Sequence, residues 1–386
     1  MSASDTVTHP VLLLSNRPLE SGMGVYAAML EKALADLGVQ CDSYHWEGPL
    51  VERMYALVWR RLRRTPLWLP LIYANLAMRL VSQALFFRRV PKGRELYHVT
   101  NAALARAARN RRPWVVTVHD MIPFLNPRHT SDRLIKRSMN DIRMADAVIC
   151  ISEELRKEVL AHTNVQPKKA FVVHNGVNHR LFRPRDKQEA RRALGLPAEA
   201  TIVLHIGSEE MRKNVPILLK AFHRLVASEP NALLLRVGEA TPEPAALIRS
   251  LGLGDRVRYL HGLTQTAGSD AVGLVYNASD VLAFPSAYEP FGLPPLEAMA
   301  SGCPVVASNL SAIPEVVGDA GALVDPDNAL ALADALSKVL SEESYRNDLV
   351  AKGIVRAAEF SWERCARETL AVYQQVVPGL GPLATP

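Results

Sequence analysis

Cysteine is scarce and scattered in this 386-residue chain: Cys41, Cys150, Cys303 and Cys365 form no C-x-x-C pair and no Cys/His ligand spacing. That pattern excludes a zinc-ribbon or disulfide-framework protein and fits a reducing compartment. No internal repeat of solenoid length and no low-complexity block is present, which excludes solenoids and arrays. The opening MSASDTVTHP has neither a basic n-region nor an apolar core, so no secretory signal is read and a cytoplasmic location is expected. What is abundant is apolar residue type, 48% of the chain, which supports packed cores and excludes disorder. The length exceeds what one core usually serves, so two domains are expected.

The net charge of +6 is unevenly spread. Residues 51–94 hold ten basic residues against the single acid Glu52, a net of +9, which leaves the rest of the chain at −3. Local basicity of this kind implies an anionic partner at one place. Within it, Leu67 to Phe87 is strongly apolar, with Asn75, Arg79, Ser82 and Gln83 on one helical stripe and arginines at both flanks. A wide apolar face, a narrow polar face and basic flanks suit a helix lying in an anionic membrane interface. An inserted helix pair packed on the first domain, or a protein-protein surface such as a homo-oligomer contact, is the alternative.

Elsewhere strands and helices alternate. Val11–Ser15, Trp114–Val118, Ala147–Ile151 and Phe171–Val173 read as strands, and a helix from about Ser21 to Leu37 ends at Gly38. The pattern restarts after the polar run 178–187, with strands at Thr201–Ile206, Leu233–Val237, Val257–Leu260, Val281–Phe284, Val305–Ala307 and Ala322–Val324. Val215–Ser228 is an amphipathic helix, and two helical runs, Ala329–Leu340 and about Ser361–Val376, finish the chain. The fold class expected is α/β, two doubly wound domains, with domains at 1–182 (carrying the insert 51–94), 183–358 and a terminal helix in 359–386.

Chemistry gathers at strand ends, where open α/β sheets bind ligands. Gly22-x-Gly24-x-x-Ala27, with Asp42 after a second strand, mimics a dinucleotide fingerprint. Six residues separate the first strand from Gly22, whereas that fingerprint begins at the strand end, so the pattern is read as a flexible glycine loop instead. His119-Asp120 ends the Trp114 strand. Arg212 and Lys213 follow the Thr201 strand and suit a pyrophosphate, arginine being able to grip it with two parallel bonds. The Val281 strand leads into Ser286-Ala-Tyr-Glu-Pro-Phe-Gly-Leu-Pro-Pro-Leu-Glu297. Pro294 and Pro295 suit a first helical turn and Gly302 a helix stop. The amides of Phe291, Gly292 and Leu293 then point at a ligand, and Glu289 and Glu297 accept hydroxyl protons. Amides, cations and acids together suit a ligand both phosphorylated and rich in hydroxyls.

Glu289 to Glu297 with Gly302-x-Pro304-Val-Val306-Ala, Arg212-Lys213-Asn214, Ser311-Ala-Ile-Pro-Glu315, Asn175-Gly176-Val177 and Phe360-Ser-Trp362-x-x-x-Ala366 resembles the retaining GT-B glycosyltransferases of family 4. The resemblance is dense from about residue 114 to 376. It departs from the family pattern at Asn178, where Asp commonly stands, and at Gly207-Ser208, which replaces Gly-Arg and leaves Arg212 as the phosphate arginine. It implies two Rossmann-like domains facing across a cleft, the second binding a nucleotide-sugar and the last helix crossing back to the first. Arg212 and Lys213 would neutralise the leaving diphosphate. Glu289 and the amides 291–293 would hold the sugar and phosphate, and Glu297 the ribose. His119, with Asp120 beside it, would touch the transferred sugar. Gly22 and Gly24 would admit the phosphate or acceptor, and Gly207, Gly238 and His261 would line the nucleotide site.

The expected activity is hexose transfer with retention, mannose from GDP-mannose being favoured by the His119-Asp120-Met-Ile-Pro run. The expected acceptor is a lipid-linked or membrane-surface glycan, which would place the protein peripherally on the cytoplasmic face of a membrane. A soluble transferase with a small-molecule or protein acceptor, or a nucleotide-sugar binding protein without turnover, is the alternative. No cofactor, metal or nucleic-acid partner is expected, and Asp325-Pro-Asp327 reads as a turn. Glu289→Ala is expected to harm turnover more than folding, and Glu297→Ala to weaken donor binding.

Overall fold

The computed structural model describes residues 11–16, 22–46, 81, 84–125, 136–137, 139–261, 263 and 270–381. The chain divides into two compact units. One comprises residues 1–151, 155–173 and 365–386, the other 152–154 and 174–364.

The first unit is built on a six-stranded sheet of β1 (Val11–Asn16), β2 (Cys41–Trp46), β3 (Leu96–Val99), β4 (Trp114–Val118), β5 (Ala147–Cys150) and β6 (Ala170–Val172). The order is β2-β1-β3-β4-β5-β6 and every pairing is parallel. Parallel strands covered on both faces must be apolar on both faces, which is why VLLL, WVVTV and AVIC read as unbroken runs. The helices named here are α1 (Gly22–Asp36), α2 (Ile122–Leu125) and α3 (Glu153–His162). Asp42 lies inside β2, one residue past its start, and pairs with Arg94 at 2.5 Å. Gly22 and Gly24 lie in the first turn of α1, the helix expected from about Ser21, and not in a flexible loop before it.

The second unit holds β7 (Thr201–Ile206), β8 (Ala232–Val237), β9 (Val257–Leu260), β10 (Val281–Phe284), β11 (Val305–Ser308) and β12 (Ala322–Val324). They form a parallel sheet of order β12-β11-β10-β7-β8-β9. Its helices are α4 (Lys187–Ala193), α5 (Val215–Ser228), α6 (Pro242–Ser250), α7 (Asp270–Ala278), α8 (Leu293–Ala300), α9 (Ile313–Val317), α10 (Ala329–Ser341) and α11 (Glu343–Ala358). The last helix, α12 (Trp362–Val376), spans the division between the units. Leu218, Leu219, Phe222 and Leu225 of α5 are buried with Val203, Leu234, Val281 and Leu336, so the apolar stripe of α5 seals one face of the sheet. Strand order reverses between β7 and β10, which makes the loops after those two strands the sheet's natural ligand crevice.

Several elements were not expected from the sequence. The chain ends in three helices rather than two, because α11 was not anticipated. It buries only Leu349, Gly353 and Ala357, a stripe too narrow to announce itself. β3, four buried residues long, follows directly on the basic segment that seemed to interrupt the sheet. Of that segment, residues 51–80, 82 and 83 lie outside the described residues, and the interfacial helix with them. Among the described residues no helix is long and apolar enough to cross a membrane. Phe86 packs its ring on Tyr44 at 5.1 Å.

The carboxyl ends of β7 and β8 meet backbone to backbone. Gly207 N–H donates to Val237 O at 3.0 Å. A Cβ on Gly238, whose φ is +150°, would stand 2.4 Å from Gly207 O. Gly238→Ala therefore combines left-handed strain with a backbone clash and should cost about 2–4 kcal/mol, read as a lowered urea midpoint of the full chain.

Candidate active site

The loop after β7 and the loop after β10 deliver the charged residues to one place in the second unit. Lys213 closes the short 3-10 turn Met211–Lys213 and is buried, as is Glu289. Lys213 Nζ donates to Glu289 Oε1, and Arg212 Nη1 reaches the same oxygen at 3.1 Å. Two cations share one carboxylate oxygen. Among the described residues Oε2 of Glu289 has no donor, which leaves its lone pairs for a ligand hydroxyl. The loops are stitched through backbone as well: Ala287 N–H donates to Arg212 O at 2.8 Å. Ser311, itself left-handed at φ 58°, donates its hydroxyl to Glu289 O at 2.7 Å. Sequence reasoning noticed Ser311 only as part of a motif; its strained backbone, invisible in sequence, is what turns it onto Glu289. Lys213 also lies over the Phe284 ring at 5.1 Å, so the last residue of β10 supports the ammonium from below.

The helix α8 begins at this point. Gly292 stands before it with φ 109° and ψ 51°. A Cβ there would meet Ile313 Cδ1 at 2.8 Å, so only glycine fits both the backbone and the space. Among the described residues the amides of Phe291, Gly292 and Leu293 have no acceptor, and Pro294 and Pro295 carry none to satisfy. The result is a row of free donors beside Glu289, a ready anion site. Phe291 is buried and packs on Phe360 and His174 at 6.0 Å each.

Glu297 is further in. It is 3% exposed, and Tyr276 donates its hydroxyl to Oε2 at 2.6 Å. Burial, and next the Glu297 charge, push the Tyr276 phenol well above its ordinary value, which keeps it a donor. At the opposite edge of the sheet exposed His261 stacks on Tyr259 at 5.9 Å and 7°. Asp325 Oδ1 accepts from Asp327 N–H at 3.0 Å, a turn before α10.

In the first unit, His119 follows β4. Its Nε2 donates to Thr100 O at 2.9 Å, at the end of β3, and its ring stands edge-on to Tyr26 at 4.6 Å. A carbonyl can only accept, so the proton sits on Nε2; among the described residues Nδ1 has no partner and is left as an acceptor. Burial lowers the His119 pKa to about 4 against the opposing Thr100 bond, so the ring is neutral at pH 7. Asp120 Oδ1 accepts from Ile122 N–H at 3.1 Å and starts α2, a capping role next to the histidine. Behind His119 runs a buried polar chain absent from the sequence reading: Tyr26 hydroxyl to Thr117 at 3.0 Å, Thr117 to His98 at 2.8 Å, His98 to the Tyr373 hydroxyl at 2.6 Å. Its one sequence signal was polar letters, His98 and Thr117, inside otherwise apolar strands.

The site residues read from sequence thus fall into three groups. Glu289, Arg212, Lys213 and Gly207 come together with the amides 291–293, the Lys213 stem lying 3.4 Å from where a Gly207 Cβ would be. Glu297, Gly238 and His261 belong to the same unit with separate partners. His119, Asp120, Gly22 and Gly24 belong to the other unit.

Comparison with known proteins agrees with this architecture. Residues 21–181 match the family described as Glycosyltransferase Family 4, and residues 186–356 match Glycosyl transferases group 1. The chain is 30% identical over 395 positions to a D-inositol 3-phosphate glycosyltransferase of Nocardioides sp., covering 92% of this chain and 85% of that one. It is 32% identical over 267 residues to the O-antigen chain mannosyltransferase B of Escherichia coli, covering 67% and 70%. Other relatives are matched over less, the D-inositol 3-phosphate glycosyltransferase of Corynebacterium diphtheriae over 56% of its length. Among solved structures, sucrose-phosphate synthase from Thermosynechococcus elongatus superposes with a TM-score of 0.74 over 95% of this chain and 99% of that one at 24% identity. The Anabaena protein Alr3699/HepE, in complex with UDP and glucose, gives 0.70 over 95% and 100% at 20% identity. The chain belongs to the group 1, family 4 glycosyltransferases, and its two parallel six-stranded sheets are those of GT-B structures.

The pairing of Lys213 with Glu289 alters the expectation for Glu289→Ala. Removing the carboxylate strands a buried ammonium, which costs about 3–5 kcal/mol. Glu289→Ala should therefore lose stability as well as turnover in urea unfolding, and adding Lys213→Met should restore most of the stability without restoring turnover.

Buried neutral histidines also set an acid limit. Burial, with a smaller contribution from His119, lowers His98 to about 3. The unfolded chain then binds a proton near pH 6.5 that the folded chain refuses, so stability falls as pH drops from 6.5 toward 3. Urea unfolding should show a loss of about 2 kcal/mol from His98 alone between pH 7 and pH 5, and His98→Gln should remove that part.

Proposed function

We propose that this protein moves a hexose, with mannose from GDP-mannose the favoured donor, onto a lipid-linked or membrane-surface glycan with retention of configuration. The observation that carries the donor part is the convergence of Lys213, Arg212 and three unpaired amides on Glu289 at the reversal of strand order. Breaking the anomeric C–O bond leaves negative charge on a diphosphate. Two fixed cations and a helix N-terminus stabilise that charge in the transition state, where it is largest. The free oxygen of Glu289 accepts a sugar hydroxyl. In this reading Glu297 takes the ribose hydroxyls. The acceptor oxygen bonds to the anomeric carbon on the face the diphosphate leaves, and its proton passes to the departing phosphate oxygen. With Arg212 and Lys213 neutralising the diphosphate, the step proceeds without a divalent ion.

Mannose is supported by the Escherichia coli relative's name and by the residues following His119. The membrane acceptor is supported by the +9 segment 51–94. The Nocardioides relative, aligned over most of both chains, favours a second reading of the acceptor, a phosphorylated polyol, to which the same basic segment is suited.

A thermal-shift screen over UDP, GDP, ADP and their sugars tests the donor, since a ligand that binds the folded state raises its melting temperature by mass action. GDP and GDP-mannose should give the largest shifts; a shift from UDP alone would replace the mannose assignment. Proton NMR of the product should show the donor's anomeric configuration retained, and an inverted product would overturn the same-face mechanism.

A further inference from the structure

A row of polar side chains runs across the carboxyl ends of three strands in the second unit. His205 on β7, Arg236 on β8 and Tyr259 on β9 are register partners, His205 with Arg236 and Arg236 with Tyr259. Such residues are out of place in strands otherwise filled with valine and leucine. Arg236 is fully buried, with Nε lacking a partner among the described residues, and a buried guanidinium calls for a counter-charge. The counter-charge is Glu209, whose side chain is equally shielded, at 3.2 Å. The same carboxylate accepts from the Tyr259 hydroxyl at 2.6 Å and from Thr241 N–H. Two strands and the start of α6 therefore converge on one side chain in the middle of the loop 207–213.

The row continues toward the phosphate cations. Arg236 donates to His205 Nδ1, which fixes the His205 proton on Nε2. Burial first, then the charges of Arg236 and Lys213, hold the imidazole neutral far below its ordinary range. His205 stacks on Phe284 at 6.2 Å, the ring that carries Lys213 on its face. Glu209, Arg236, His205, Lys213 and Glu289 thus alternate as anion, cation, neutral spacer, cation, anion. Each cation has its own buried carboxylate, and the neutral ring separates the two pairs.

We propose that Glu209 is a positioning residue for the leaving diphosphate: by clamping Arg236, Tyr259 and Thr241 it pins the middle of the loop 207–213 and so fixes where Arg212 and Lys213 meet the phosphate oxygens. The inference rests on the donor-site reading above. Besides that anchor the loop is tied at its start by Gly207 N–H on Val237 O, and at its far end by Arg212 and Lys213 on Glu289 and by Ala287 N–H on Arg212 O. Loss of Glu209 would leave Arg236 without its buried counter-charge. Placement errors of an ångström at charge-stabilising groups are enough to lose most of their effect.

Inorganic pyrophosphate is the probe, because it reads the cations without requiring the base to be known. Titration calorimetry on the full chain compares the unaltered protein with Tyr259→Phe, Glu209→Gln and Tyr97→Phe. Tyr97→Phe removes a tyrosine hydrogen bond of the first unit, to Pro91 O at 3.1 Å, and controls for loss of such a bond anywhere. Tyr259→Phe keeps the ring under Arg236 and deletes one donor to Glu209. It should weaken pyrophosphate about three- to tenfold while melting within a few degrees of Tyr97→Phe, and Glu209→Gln should weaken it further. Tyr97→Phe should bind as the unaltered protein does. A folded Tyr259→Phe with undiminished pyrophosphate affinity overturns the positioning role and leaves the donor site standing. Absence of pyrophosphate binding by the unaltered protein overturns both.

Discussion

The ion pair between Lys213 and Glu289 is the constraint on which the second unit's site depends. Both groups are withdrawn from water, and removing either leaves the other buried without its counter-charge. Their partnership forces the loop after β7 against the loop after β10, at the position where the sheet's connection order reverses. Everything nearby follows from that contact. Arg212 is brought to the same oxygen, Ser311 adopts a left-handed backbone to hold Glu289, and Gly292 must be glycine because Ile313 fills the space beside it. The pair leaves a second carboxylate oxygen and a row of amides open, donors and acceptors of the kind a polyol phosphate offers partners to.

The two units solve the same problem by different means. In each, strands are apolar to their last turn and then carry polar residues at the carboxyl end. The first unit fills this zone with neutral groups, Thr117, His98, Tyr26 and Tyr373, linked in one hydrogen-bonded chain behind His119. The second fills it with charges in alternation, Glu209, Arg236, Lys213 and Glu289, separated by a histidine that burial and its cationic neighbours keep neutral. Both arrangements are sensitive to loss of a single member, because a buried polar group left without its partner costs its full desolvation.

The sequence by itself determined the architecture. Apolar runs of four to six residues, separated by amphipathic stretches and ended by glycine and histidine, allow little other than a doubly wound parallel sheet, since only strands buried on both faces need be apolar on both. It also placed Glu289, Arg212, Lys213 and His119 just past strand ends, where the structure has them. Elements with weak local signals stayed hidden: β3 is only four residues long, and α11 buries a stripe of small and single residues. What only the tertiary structure decided is partnership. That Lys213 and Arg212 share one oxygen of Glu289, that Asp120 serves as a cap, and that Tyr276 rather than solvent meets Glu297 depend on contacts between residues dozens of positions apart. Local propensity and spacing report a residue's own backbone; the charge or hydroxyl it faces is set by where other strands end, and Glu209, one acid among several in a polar loop, acquires its place only when Arg236 and Tyr259 are brought beneath it.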